Sequence, residues 1–512
     1  MKKTKISRLA VFAAAAVLLL FAAVGAFLML RPKSPPDSAF EDIRSSLLAQ
    51  CRSELSSGIL TDALSASMDI SIAGETETHF RRAEIPVTVR SLDISALILG
   101  IESDIQAGCE KAVLAARRPL DVYTDDGGFK AELIDSAYEA AILSRLESRD
   151  KYLCDASLSM KLRYASNEWT LENAQEIICA LMPDINSASP GRDDCEGKLQ
   201  PIDFHYTLPD RTGPAPMPDA SCFGMTYDPS EISALLQTDE AKKLIGGQTL
   251  DWREDKVFLP GTPIRYYLDE TILCIVWQEC EHGAVGTFAE VFIADASQLR
   301  RKIANDTFAC GAYYYPTELS KQANAVLALS GDFYDHPDRI YGVYAYDGKV
   351  MNSCLTDGQT CYFTDSGDMI FSYENQFASN DEAQRFLDEN KVMFSLSFGP
   401  VILDNGVDVT PYSYPLGEVL DTYARCCFGQ LGERHYLAMT INVLSPDYYV
   451  YVTLRQAADS MIAHGCKQAY TLDGGQTGSI ILGNELINPV QFGVEREMSD
   501  IFYFATAIPE PD

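Results

Sequence analysis

Between Leu9 and Leu30 the chain carries no charged or strongly polar side chain, and no other feature constrains it as much. Wound as a helix at 1.5 Å per residue, that stretch reaches about 33 Å, the depth of a bilayer's hydrocarbon core. Lys2, Lys3, Lys5 and Arg8 precede it. Basic residues stay on the cytoplasmic side of a span. The expectation is therefore a cytoplasmic tail over residues 1–8, a transmembrane anchor over 9–30, and residues 31–512 extracellular on a single-pass protein of the cell membrane. A cleaved signal peptide is the rival reading. The anchor is favoured because the apolar stretch exceeds a usual signal core and Gly25-Ala26-Phe27 is a poor cleavage site.

Charge excludes one class of partner. The chain holds 41 Lys and Arg against 73 Asp and Glu, a net charge of −32. A polyphosphate backbone would be repelled, and no basic stripe interleaved with aromatics offsets this, so no nucleic-acid partner is expected. A small anionic substrate stays open, since a few convergent arginines can reverse the field locally. A hydrophobic content of 47% excludes a mainly disordered chain. The 14 cysteines form no CxxC pair, so no structural zinc site is expected; no metal ligand or cofactor is assigned, and a metal requirement stays open. Cys274/Cys280 and Cys354/Cys361 are spaced for short-loop disulfides, vicinal Cys426-Cys427 needs separate partners or stays reduced, and free buried cysteines are an equally open reading throughout.

After a short tether, Phe40, Ile43, Leu47, Leu48, Cys51 and Leu55 repeat on one helical face. Strand patterns follow over 67–72 and 85–89, helical ones over 92–117 and 131–146, and a hairpin over 152–169. Residues 31–182 thus read as an α+β module with no chemical motif. Seven prolines fall between Pro183 and Pro218; such composition sustains neither helix nor central strand, so 183–220 reads as a linker. From 221 to 512, after a helix near 231–244, the chain is strand-rich and reads as an α/β domain.

Three apolar strands in that half run into turns. Ala325–Leu329 leads to Ser330-Gly331-Asp332, Val392–Leu396 to Ser397-Phe398-Gly399-Pro400, and Ala469–Leu472 to Asp473-Gly474-Gly475. Functional groups at strand ends, beside glycines that permit close backbone approach, suit a ligand site on a rigid scaffold. Their order, with Gly286–Asp295, Arg425 and Gly429, Asn405-Gly406, Glu495-Arg496 and the strand Ile501–Ala505, resembles the phosphodiester glycosidase family over residues 262–508. Leu472-Asp473-Gly474-Gly475 is the most diagnostic element. The chain departs from the family pattern at Ser330, at Cys426-Cys427-Phe428, at Asn442-Val443 and at Gln476-Thr477-Gly478.

The resemblance implies a hydrolase of sugar phosphodiesters or related envelope glycan linkages. Such a reaction needs a carboxylate opposite an oxocarbenium-like carbon, and cationic or N–H partners for a phosphate leaving group. Asp473 and Asp332 are the expected catalytic pair. Arg425 and Arg496 are the expected phosphate ligands, since a guanidinium grips two oxygens at once. Gly474, Gly475, Thr477, Ser330 and Tyr334 complete the expected substrate contacts, and His336 reads as a solvated loop residue. Each residue has a bland rival role: turn cap for the aspartates, buried ion pair (with Glu495, for example) for the arginines, core packing for Tyr334. The four departures also leave open a weakened glycan-binding or envelope-assembly protein that keeps the fold.

Overall fold

The computed structural model describes residues 19–24, 31–32, 34–182, 195, 197–208, 213–246, 250, 252, 258–333, 338–442 and 452–510. Most of the apolar stretch 9–30 lies outside them, as do Tyr334 and His336. No helix among the described residues is long and apolar enough to cross a membrane. The chain divides into two compact units, residues 1–203 and 204–512.

In the first unit an antiparallel sheet of β1 (Asp69–Ile72), β2 (Glu77–His79), β3 (Arg82–Leu92), β4 (Leu153–Ala165) and β5 (Glu168–Leu171) packs against helices. The helix Phe40–Glu54 buries Phe40, Leu47, Leu48 and Cys51, the face that the periodicity marks. Ser166 and Asn167 adopt positive φ in the β4–β5 turn, as a tight hairpin requires. The expected helix over 92–117 is two helices, Ile94–Ile98 and Ile101–Ala115, because Gly100 between them sits at φ +69°.

Among its described residues the second unit holds three sheets. One has nine strands in the order β18 (Val407–Asp408), β17 (Val401–Asp404), β21 (Gln468–Leu472), β19 (Arg425–Gly432), β20 (His435–Asn442), β9 (Ala284–Ile293), β8 (Ile272–Glu281), β7 (Ile264–Leu268), β6 (Phe223–Thr226). The second runs β10 (Leu299–Ile303), β24 (Asp500–Phe504), β11 (Leu327–Ser330), β22 (Ile480–Leu482), β23 (Glu485–Leu486). The third runs β13 (Lys349–Ser353), β12 (Val343–Tyr346), β16 (Val392–Leu396), β14 (Thr360–Thr364), β15 (Met369–Ser372). Every strand pairing in the three is antiparallel. The unit is therefore α+β rather than α/β in its pairing, and its strands run both apolar faces into cores.

One face of the nine-stranded sheet joins the other two sheets in a common core, with Cys426, Phe428, Tyr436, Phe363, Leu396, Leu329 and Phe502 among its members. The opposite face is covered by the helices Pro229–Leu235, Asp239–Ile245 and Leu454–Ala463, and there Cys427, Met439, Phe288 and Ile402 meet Ala457, Ala458 and Met461. The last helix crosses from β20 to β21, with β19 hydrogen-bonded between them. This crossover carries the chain to Asp473.

Two expectations change here. No disulfide forms among the described residues, which include all 14 cysteines. Cys274 and Cys280 lie on one extended strand, β8, about 20 Å apart at 3.3 Å per residue, far beyond disulfide reach. The proline-rich stretch, for its part, is not a bare tether. Leu208 and Ala215 are buried with Leu319, Ala323 and Ile501, and the Ala215 N–H donates to the Ala323 carbonyl at 3.2 Å. Apolar residues between the prolines find a core, which composition alone does not disclose.

Candidate active site

The site forms where β19 begins and β21 ends. The two strands pair antiparallel, with Cys426 opposite Leu472, so Ala424-Arg425 and Asp473-Gly474 come together at the ends of these neighbouring strands. A Cβ at Gly474 would stand 2.2 Å from the Ala424 carbonyl oxygen, so only glycine permits this approach. Around the junction lies a cleft of about 230 Å³ lined by Phe333, Arg339, Phe398, Leu416, Glu418, Val419, Tyr423, Ala424, Arg425, Thr471, Leu472, Asp473, Gly474 and Arg496. It lies on the helix-covered side of the sheet, the side on which Phe333, Phe398 and Val419 belong to the core.

Four of the nine expected site residues thus line one cleft: Asp473, Gly474, Arg425 and Arg496. Asp473 is half-buried there. Arg496, also half-buried, donates to Gln476 Oε1 at 3.3 Å. Arg425 is 3% exposed and differently engaged. Its Nε donates to the Val452 carbonyl at 2.8 Å and Nη1 to the Val419 carbonyl at 2.9 Å, while Nη2 donates to the Asp421 carbonyl. Burial holds its pKa below the ordinary value, with Cys427 and Asp421 acting in the opposite direction. The guanidinium fork is spent on backbone, so Arg425 is not the bidentate phosphate ligand that the sequence predicts. It clamps the turn Gly417–Leu420 and the entry to the helix Leu454–Ala463 onto β19. No carboxylate forms an ion pair with it among the described residues. Glu495 bonds Thr317 instead.

Asp332 is the clearest correction. Only 1% exposed, its carboxylate accepts the Ser397 N–H at 2.8 and 3.0 Å and the Ser397 hydroxyl at 2.9 Å. It also pairs with Arg301 Nη2 at 3.3 Å, and Arg301 Nε donates to Asp500 Oδ2 at 2.6 Å. Arg301 further donates to the Ser395 carbonyl and lies 4.2 Å over the Tyr344 ring. Burial alone would depress the Arg301 pKa; Asp500, Tyr344 and Asp332 outweigh it and hold the pKa above the ordinary value. A Cβ at Gly331 would meet the Asp500 carboxylate at 2.4 Å, which explains the glycine. The Ser-Gly-Asp turn is the keystone of a buried ion cluster, behind the cleft wall that Phe333 provides.

Ser330, Thr477 and Gly475 support the site from behind. Ser330 Oγ donates to the Thr477 carbonyl at 2.6 Å and accepts the Ser479 N–H at 2.7 Å. Asn442, one of the departures from the family pattern, donates to the Gly475 carbonyl at 2.8 Å. These bonds fix the loop that presents Asp473. Tyr334 lies outside the described residues.

Sequence reasoning missed Arg339, Glu418, Tyr423 and the aromatic wall of Phe333 and Phe398, whose ring centroids stand 4.5 Å apart. Arg339 had no signal, as an exposed arginine in a loop. Tyr423 could have been inferred from its place two residues before Arg425. Among the described residues, three arginines against two carboxylates line the cleft, a positive balance inside a chain of net charge −32. It can hold an anion on the arginine side, an apolar ring face against Phe333 and Phe398, and one carboxylate at Asp473.

Comparisons with known proteins cover part of the chain. Among solved structures, similar chains include the zebrafish N-acetylglucosamine-1-phosphodiester alpha-N-acetylglucosaminidase catalytic domain auto-inhibited by its pro-peptide, at 16% identity, covering 46% of this chain and 83% of that one, TM-score 0.37. A hypothetical protein from Synechocystis matches at 12% identity, over 48% of this chain and 64% of that one, TM-score 0.35. A putative exported protein from Burkholderia pseudomallei matches at 10% identity, over 44% and 75%, TM-score 0.31. No match was found among curated proteins. The sequence model of the phosphodiester glycosidases matches residues 323–505, a span that holds every described residue lining the cleft.

Proposed function

We propose that the cleft hydrolyses a sugar phosphodiester or a related phosphate-bearing glycan linkage, with Asp473 facing the anomeric carbon and Arg496 and Arg339 holding the phosphate. The observation that carries this reading is the meeting of Asp473, Arg425 and Arg496 in one cleft of positive balance. Cleavage of a glycosidic bond builds positive charge at the anomeric carbon, which a nearby carboxylate stabilises. A phosphate leaves as a stable anion and requires little protonation. One carboxylate beside several cations therefore suits this leaving group, whereas an alkoxide leaving group calls for a second acid. With Asp332 withdrawn into the core, the cleft has that one-carboxylate form, apart from the exposed Glu418 at its rim.

Arg425 acts in this scheme through its charge and through the loop it clamps, not through a grip on substrate. A membrane anchor at 9–30 with the remaining chain outside the cell would give the enzyme access to envelope glycans. Protease added to intact cells tests that placement: digestion of the 204–512 unit supports it, and full protection on accessible cells contradicts it.

The functional experiment is hydrolysis of a panel of sugar 1-phosphodiesters by the full chain. Release of the free sugar, abolished in Asp473→Asn, supports the reading. Binding of glycans without turnover anywhere in the panel would instead favour a module that keeps the fold for recognition.

A further inference from the structure

Away from the cleft, Glu279, Glu281 and His464 gather their donor atoms within 4.8 Å of one another. They come from two elements far apart in the chain. Glu279 and Glu281 end β8, where period-two alternation puts them on the same face. His464 caps the C-terminus of the helix Leu454–Ala463. We propose that these three side chains bind one divalent transition-metal ion of the zinc type, with water completing the coordination.

The chemistry of the donors selects the ion class. One imidazole nitrogen with two carboxylates is a set that Zn²⁺ takes readily. Each donor is also held by an outer partner. His464 Nδ1 lies 2.8 Å from the Ser460 carbonyl, which can only accept, so Nδ1 carries the proton and Nε2 is aimed at Glu279 Oε1, 2.7 Å away. The Trp277 indole N–H donates to that same Glu279 oxygen at 3.1 Å. The Ser460 hydroxyl donates to Glu281 Oε2 at 2.7 Å and is itself 3.1 Å from His282 Nε2. A histidine whose second nitrogen donates to a backbone carbonyl, beside carboxylates fixed by neighbours, is the outer-shell arrangement that orients metal ligands. The His464 ring is further fixed by stacking on Phe288, with centroids 4.2 Å apart.

Charge points the same way. The side chains of Glu279 and His464 are 13% and 14% exposed, and that of Glu281 is 18% exposed. Two largely desolvated carboxylates therefore stand together. A simple imidazolium at His464 offsets one of them and leaves Glu281 to His282, 3.6 Å away. A divalent ion that displaces the Nε2 proton neutralises both. Ligands at about 2.0–2.1 Å around zinc stand roughly 3.3 Å apart, so admitting the ion opens the Glu279–His464 contact by only about 0.6 Å. The residual exposure leaves a path for entry. Bound there, the ion would pin the end of the helix Leu454–Ala463 opposite to the Val452 entry that Arg425 clamps.

The test uses the full chain, stripped with chelator and titrated with Zn²⁺ against a competing indicator, with Co²⁺ as a spectroscopic substitute. The proposal predicts one tight site per chain, a thermal midpoint that rises on loading, and a Co²⁺ spectrum of nitrogen and oxygen ligation without thiolate charge-transfer bands. Glu281→Gln keeps the Glu279–His464 contact but removes a ligand, and should weaken Zn²⁺ binding at least tenfold while leaving the stripped protein's midpoint near wild type. His464→Gln should abolish the site. Absence of a tight site, thiolate bands from the cysteines, or unchanged binding in Glu281→Gln would each overturn the proposal. Should Glu281→Gln fail to fold, the wild-type Co²⁺ spectrum still decides between these outcomes.

Discussion

Two turns of the second unit look alike in sequence and serve opposite ends. Leu329-Ser330-Gly331-Asp332 and Thr471-Leu472-Asp473-Gly474 each set an aspartate beside a glycine at the end of an apolar strand. Asp473 emerges in a cleft with Arg425 and Arg496. Asp332 turns inward to Ser397 and Arg301, where Arg301 also holds Asp500. The difference teaches that a strand-end aspartate becomes a working group or a structural one according to what the neighbouring strands supply. At Asp473 the adjacent strand β19 spends its arginine on backbone carbonyls, and Asp473 lines the cleft. At Asp332 the strand β10 delivers a guanidinium directly to it.

Substitutions sharpen the contrast, and the largest effect belongs to the cleft. Asp473→Asn keeps shape and loses charge, so turnover of a sugar phosphodiester should fall about a thousandfold, with the thermal midpoint near wild type. Asp332→Ala should do the reverse. It breaks a buried, hydrogen-bonded ion pair and should cost roughly 3 kcal/mol of stability in chemical denaturation, while activity per folded molecule persists. Activity lost at unchanged stability in that variant would break the comparison.

Smaller effects separate the two arginines. Lysine cannot span the three carbonyls that Arg425 holds, so Arg425→Lys should lose about 2 kcal/mol of stability, read from the denaturation midpoint. Its activity should follow the folded fraction, whereas a direct phosphate ligand would raise KM at unchanged stability. Arg496→Gln should give that second pattern. A KM raised about tenfold, with kcat little changed, is expected for a lost charge-assisted contact to the bound anion.

Much of this was legible locally. The helix Phe40–Glu54, the β4–β5 hairpin and the crossover into Asp473 follow from periodicity and turn chemistry over short windows. The fate of Asp332 was not, because its partners Arg301 and Ser397 lie 31 and 65 residues away. Arg300 and Arg301, in a run of three basic residues, are each 3% exposed, and nothing local in the sequence marks that burial. The expected role of Arg425 failed for a related reason. A motif states that an arginine is present, but the carbonyls of Val419, Asp421 and Val452 decide what it holds. The Glu279–His464 contact, spanning 185 residues, leaves no spacing to read at all.

The most direct test of the central claim is a structure of the Asp473→Asn protein with an intact sugar phosphodiester bound. The account predicts the phosphate within hydrogen-bond distance of Arg496, the sugar against Phe333 and Phe398, and the anomeric carbon facing the substituted amide at position 473. Substrate bound elsewhere, or a phosphate held in the fork of Arg425 after release of its three carbonyls, would contradict it.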